Sequence, residues 1–290
     1  MGMARHRIAP AEVDQESIGT TVGEPEVLRI GLLGGFRVSV GTRIIEEDAW
    51  HLRKAASLVK LLALAPRHLL HREQAMDTLW PDLAKRAATN NLRQVLHAAR
   101  GTLYKAVSSR YLASDNEALI LGPEGSLWVD VDTFEEAAIA ARRAKVPSAY
   151  EAAMGLYTGE LLPGDREEAW TEGRRESLRR LYLALLLDLA MLHEEREEYE
   201  RGIEVFRRLL AEDPAREETH ADLMRLNALC GRRQEALQQY ERLRENLSRE
   251  PGTETRHLYE EIRAGSFPAA PAPSEGREFD SAGEHTCPPH

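Results

Sequence analysis

Apolar and polar positions alternate from residue 28 onward: Leu28, Ile30 and Leu32, then Phe36, Val38 and Val40 against Arg37 and Ser39. A period of two turns one side of each segment inward and predicts half-buried strands. Gly34-Gly35 separates the two runs, and Gly41-Thr42 turns into a third short strand, Arg43 to Ile45. The period then lengthens. Ala55, Leu58, Val59, Leu62 and Ala65 recur at helical spacing until Pro66 ends the run. A second helix, about 72–79, buries Ala75, Met76 and Leu79 and stops at Trp80-Pro81. A third, from about Arg86 to Val107, places Leu92, Val95, Leu96, Ala99, Leu103 and Val107 on one face. Tyr111 to Ser114 and Ala118 to Leu121 flank Asp115-Asn116-Glu117, where Asn tolerates positive φ, and predict a hairpin. Sheet, three helices and hairpin in this order predict a winged helix-turn-helix with an N-terminal antiparallel sheet.

From Val129 onward no further strand is predicted. Helices are expected at about 133–145, 149–157, 168–196, 199–211, 217–230, 234–248 and 254–264. Two helix pairs repeat: Leu186, Leu189, Gly202, Phe206 and Leu209 precede His220, Leu223, Ala236, Tyr240 and Leu243 by 34 positions. That period, with a small residue and an aromatic four positions later, marks TPR-like helical hairpins. Two units need flanking helices to cap them. The expected fold is mainly α: a winged-helix head, 26–122, and an all-α TPR-like domain, 128–265. Residues 1–25 have little hydrophobicity and no period, and 266–290 are rich in Pro, Ala, Gly and Glu. Both are expected to be disordered.

Charge is unevenly shared. The chain carries −10 in all, but 26–121 hold 14 Lys and Arg against 9 Asp and Glu, whereas 122–290 hold 22 against 35. A basic segment beside an acidic one points to a single face that meets phosphate. No apolar run approaches the ~20 residues of a membrane span, and Arg5 and Arg7 lead into no apolar core, so no signal peptide is expected. Cys230 and Cys287 fit neither a disulfide framework nor a zinc-finger spacing. A reducing cytoplasm is the expected setting.

The third helix carries the most informative chemistry. With its apolar stripe inward, Asn90, Arg93, Gln94, His97, Ala98 and Gly101 face out, flanked by Arg86 and Arg100, and no carboxylate interrupts them. Arg suits guanine O6/N7, and Asn or Gln suits adenine N6/N7. Asn90, Arg93, Gln94 and His97 are therefore the expected base-contacting set, while small Ala98 and Gly101 would let the helix sit deep in a major groove. Arg53, Lys54, Arg72, Lys85, Arg86, Arg100, Arg110 and Tyr111 are the candidate phosphate contacts. Tyr111 and Asn116 are also explained by hairpin packing and turn geometry. Trp50, Trp80, Trp128 and Trp170 read as core or interdomain anchors.

Catalysis finds no foothold. Gly31 to Gly35 lack the Lys and following helix of a phosphate loop. His193-Glu194 begins a zinc-protease-like pattern without its second His, and His68 with His71 has no third ligand nearby. His285, Cys287 and His290 lie in the tail, where adventitious metal binding is the most they suggest. No enzyme activity, cofactor or metal is expected.

Leu28-Arg29-Ile30 with Leu32-Leu33-Gly34-Gly35-Phe36, Arg53-Lys54-Ala55, Leu79-Trp80-Pro81 and Asn91-Leu92-Arg93-Gln94 resemble the OmpR-like DNA-binding domain of SARP-type regulators, the Streptomyces antibiotic regulatory proteins. Val129 to Phe134, Tyr157 to Asp165, Trp170 and Glu254 to Tyr259 are similar to the bacterial transcriptional activator domain of the same family. The resemblance spans about 27–264 and implies an activator that binds direct repeats near promoters as a dimer or side-by-side pair and recruits RNA polymerase. Ser248-Arg249-Glu250-Pro251 is shorter than the family's usual loop before the last helix. No ATPase domain follows and no receiver domain precedes, so neither a nucleotide switch nor a phosphoacceptor aspartate is expected. The longer loop from Trp80 to Lys85, beside the recognition helix, is expected to face polymerase. The alternative reading is a TPR-like protein-binding adaptor whose head is a packing or weak nucleic-acid module.

Overall fold

The computed structural model describes residues 27–104, 111–115, 117–123 and 127–268. The predicted leader, most of the predicted tail, Val107, Arg110 and Asn116 lie outside them. The fold is mainly α, with a small N-terminal sheet, a winged helix-turn-helix and a TPR-like helical domain. The order is β1 (Leu28–Gly31), β2 (Arg37–Val40), β3 (Arg43–Ile45), α1 (Arg53–Leu64), β4 (Leu69–His71), α2 (Arg72–Leu79), α3 (Lys85–Tyr104), β5 (Leu112–Ser114), β6 (Ala118–Leu121) and β7 (Leu127–Val129). Seven helices follow: α4 (Asp130–Ala144), α5 (Pro147–Leu156), α6 (Ala169–Glu195), α7 (Tyr199–Glu212), α8 (Glu217–Leu229), α9 (Arg233–Asn246) and α10 (Thr253–Ala264). One sheet runs β3-β2-β1-β7, with Val38 opposite Ile45 and Val40 opposite Arg43 in the β2–β3 hairpin. A second runs β4-β6-β5. Two strands were not expected. β4 is a three-residue segment whose only signal is its pairing with β6, and β7 overlaps the start of the region predicted to be wholly helical.

The chain divides into two compact units, 1–29 with 38–127, and 30–37 with 128–290. In the first unit α1 packs on α3 and α2. Leu58, Val59 and Leu62 of α1 and Leu92, Ala99 and Leu103 of α3 are fully buried, which is the predicted apolar stripe meeting its partner.

The second unit keeps 30–37, which the sequence pattern joins to the head. Both carboxylate oxygens of Asp130, at the first position of α4, accept from the Leu32 amide at 3.0 and 2.8 Å, and one also accepts from the Leu33 amide at 2.9 Å. Arg37 donates to the Leu33 carbonyl at 3.1 Å. Further along, the Gly34 amide donates to Glu160 O at 2.9 Å and the Leu162 amide to Leu32 O at 2.9 Å. Gly34 (φ +73°) and Gly159 (φ +156°) approach so closely that a Cβ on Gly159 would stand 3.0 Å from the Gly34 Cα. Glycine at both positions supplies the backbone angles and the room that this crossing requires.

The remaining helices pack consecutively, α6 on α7, α7 on α8, and α8 on α9, with α10 closing against α8 and α9. Gly202 is the small residue of the first repeat. A Cβ there would lie 3.0 Å from Leu226 Cδ1 and 3.6 Å from the Ala190 carbonyl oxygen. Phe206, four positions on, is fully buried. In the second repeat Tyr240 stacks on Tyr259 of α10, centroids 4.2 Å apart, beside Met224, Ala236 and Ile262. α10 is the predicted cap, and the short loop before it is tied down by one carboxylate. Glu217, the first residue of α8, accepts from the Gly252 amide at 2.5 Å, the Thr255 hydroxyl at 2.8 Å and Arg249 at 2.7 Å.

Candidate nucleic-acid interface

α2, the turn 80–84 and α3 form the helix-turn-helix. His71 and Gln74 make a reciprocal capping box at the start of α2, which fixes where that helix begins. In the turn the Leu83 amide donates to Trp80 O at 3.2 Å. α3 is then oriented by its buried stripe and by two polar ties. The Thr102 hydroxyl donates to the Ala49 carbonyl at 3.3 Å, and the Thr89 hydroxyl to Met76 Sδ of α2 at 3.5 Å.

This packing leaves Arg86, Asn90, Arg93, Gln94, His97 and Gly101 exposed along one side of α3, with Ala98 half-buried. Arg86, Asn90, Arg93, Gln94 and His97 make no side-chain hydrogen bond or ion pair with another described residue. No carboxylate belongs to the helix. At its start Lys85 pairs with Glu73 of α2, whose carboxyl is held below the ordinary glutamate range by that contact. The same bond raises the Lys85 ammonium above its ordinary value.

The predicted phosphate set is scattered in environment. Arg53 is exposed and Lys54 half-buried at the first two positions of α1, an end without a side-chain cap or an acidic residue. Uncapped amides with cations beside them make an anion-favouring helix start. Arg72 is half-buried, and its amide donates to Glu117 O at 2.9 Å. Arg100 has turned away from solvent: its Nε donates to Leu112 O at 3.1 Å and its Nη2 to Ser114 Oγ at 2.9 Å. It braces the hairpin against α3. Tyr111 leaves the set, because only 2% of it is exposed and its ring belongs to the head's core. Arg110 lies outside the described residues. The hairpin turn rests on Asp115, whose Oδ1 accepts from the Glu117 amide at 2.8 Å and the Ala118 amide at 2.6 Å. The Ala118 and Glu117 bonds hold that carboxyl below its usual range. Sequence reading places Asp115 in this turn without assigning it the bond, although an Asp two residues before the turn's exit is a known signal for it; Asn116 lies outside the described residues.

The geometry defines a class: a chain with a helix-turn-helix head that carries a β-wing, and with TPR-like helical hairpins. Residues 129–263 match the family described as Bacterial transcriptional activator domain. Among solved structures the chain is similar to Mycobacterium tuberculosis EmbR, solved in complex with a low-affinity phosphopeptide. The TM-score is 0.66 at 19% identity, over 83% of this chain and 66% of that one. The chain therefore spans just under two thirds of the EmbR chain. A weaker likeness, TM-score 0.26 at 18% identity, covers 73% of this chain and 97% of a thermophilic TPR protein of Thermus thermophilus. No curated protein matches the sequence. Residues 129–263 thus match a bacterial transcriptional activator domain, and the chain shares its fold with EmbR. No helix of the described residues is long and apolar enough to cross a membrane.

Proposed function

We propose that the head binds double-stranded DNA with α3 in the major groove, and that the chain activates transcription from the promoters it marks. The observation that carries this reading is the exposed side of α3, free of carboxylates, with Asn90, Arg93, Gln94 and His97 lacking partners among the described residues. Such side chains are inexpensive to withdraw from water only when base edges replace it, and bidentate pairs of Arg with guanine or of Asn and Gln with adenine do so. Arg53, Lys54, Arg72, Lys85 and Arg86 supply the phosphate contacts that set register. Arg100 contributes indirectly, by fixing the wing. The protein pairs on direct repeats, as a dimer or side by side. The turn 80–84 meets RNA polymerase, and the chemistry of the molecule is recognition, without catalysis. The test is the salt dependence of binding to duplex DNA. With about five phosphate contacts the slope of log K against log salt is roughly −4 to −5, at about −0.9 per contact. A flat dependence overturns the reading and leaves the helical domain as a protein-binding adaptor.

A further inference from the structure

An opening lies wholly within the helical unit, walled by Leu210, Ala211, Pro214 and Leu223 and edged by Arg207, Arg242 and Asn246, with a volume of about 240 Å³. Two buried polar side chains also line it, His220 at 2% and Gln239 at 7% exposure. They hold each other in place: the Gln239 amide donates to His220 Nδ1 at 2.7 Å, and His220 Nε2 donates to Pro214 O at 3.0 Å. Burying an imidazole and an amide beside an apolar wall is costly unless each is bonded, so the surface is built. Its charge is one-sided. No Asp or Glu lines the opening. The Arg242 guanidinium has no partner among the described residues. Among the described residues Arg207 reaches only Glu235, at 3.8 Å, with both side chains half exposed or more, and a pair of that kind contributes little.

We infer that this cavity binds a small carboxylate carrying a short hydrocarbon or aromatic part. The planar forks of Arg207 and Arg242 match a carboxylate, with the Asn246 amide beside them. Leu210, Ala211, Pro214 and Leu223 take the apolar part. A volume below the roughly 300 Å³ at which ligand pockets usually begin restricts the occupant to a small acid. Inorganic phosphate would leave the apolar wall uncovered. No residue of the head takes part, so this proposal stands or falls apart from the DNA reading.

The experiment is a ¹H–¹⁵N titration of the full chain with sodium benzoate, with benzamide and inorganic phosphate as comparators. Saturable shifts are expected around Arg207 to Pro214, His220 to Leu223 and Gln239 to Asn246. Benzamide and phosphate should each bind about tenfold or more weakly, since a hydrogen bond to a charged group contributes about 1.5–3 kcal/mol. Arg242→Met, and separately Arg207→Met, should weaken benzoate similarly while the rest of the spectrum stays in place. Absent saturation, equal binding of benzamide, tighter binding of phosphate, or indifference to both substitutions overturns the proposal.

Discussion

Arg93 and Arg100 sit two turns apart on α3, yet of the two only Arg100 bonds another described residue, through the Leu112 carbonyl and the Ser114 hydroxyl. The same side chain therefore does different work at each position. An arginine already spent on the wing gains little by turning to DNA, whereas Arg93 must exchange only water. Arg93→Ala is expected to cost about 1–3 kcal/mol at one base position and to relax preference there, as read by competition among operator variants. Uniform weakening across all variants would place Arg93 on the backbone instead. Lys54→Ala should give that uniform loss and reduce the salt slope by about 0.9. Asp130 shows the same economy in the other unit. Burial raises its carboxyl above the usual range, against the pull of the Leu33, Leu32 and Val131 amides. Its removal would strand two buried N–H groups, each costing about 1–3 kcal/mol. Asp130→Ala should accordingly lower the denaturation midpoint, and a midpoint within error of the parent would show that water replaces the carboxylate.

At the scale of elements, α7 and α8 meet where Gly202 leaves room. Gly202→Ala places a methyl 3.0 Å from Leu226 Cδ1, the end of a flexible side chain, and the gain in helix propensity offsets part of the strain. Gly202→Val has no such escape, because its branch meets the Ala190 carbonyl side as well. It should destabilise by about 1–3 kcal/mol, and thermal melting that ranks valine with alanine would reject the close approach. The α8–α10 junction is set by pH. Burial pushes the Glu217 carboxyl up, but the Gly252 amide, the Thr255 hydroxyl and Arg249 together outweigh it and leave it below the ordinary glutamate range. A lowered folded value means stability that is present above the unfolded glutamate pKa and lost as pH falls through the folded one. The stability gap between the parent and Glu217→Gln should thus be widest at neutral pH and close on acidification. A gap that stays constant with pH would exclude the charge as its source. These elements also show what local pattern can carry. Helical periodicity is a property of neighbours in sequence, so α1 to α10 were legible nearly to their ends, and so was the 34-residue repeat with Gly202 at its crossing. The attachment of 30–37 was not, because it depends on Asp130 and Thr158, about a hundred residues downstream. The outward side of α3 was legible because it is what remains when the stripe is buried. The commitment of Arg100 was invisible, since only the folded wing brings Leu112 and Ser114 to it.

At the scale of the whole molecule, an overall charge of −10 with a basic head segment concentrates attraction for phosphate in one part of the chain, as the proposed DNA binding requires. On the proposed reading, binding alone does not activate, so a surface near α3 must remain available once the groove is filled. The turn 80–84 fits: Asp82 and Leu83 are exposed, Leu83 at 43%, and neither belongs to the set assigned to bases or phosphates. Lys85 is a poorer probe of this role, because it pairs with Glu73 and stands at the start of α3, in the set proposed to meet phosphate. The informative variant is therefore Asp82→Ala with Leu83→Ala. Operator affinity should stay within about 0.5 kcal/mol of the parent, as for surface changes away from a contact, while transcript yield from a purified promoter and polymerase falls several-fold. Yield that tracks occupancy in both proteins would remove the turn from the polymerase contact and move the search to the helical domain.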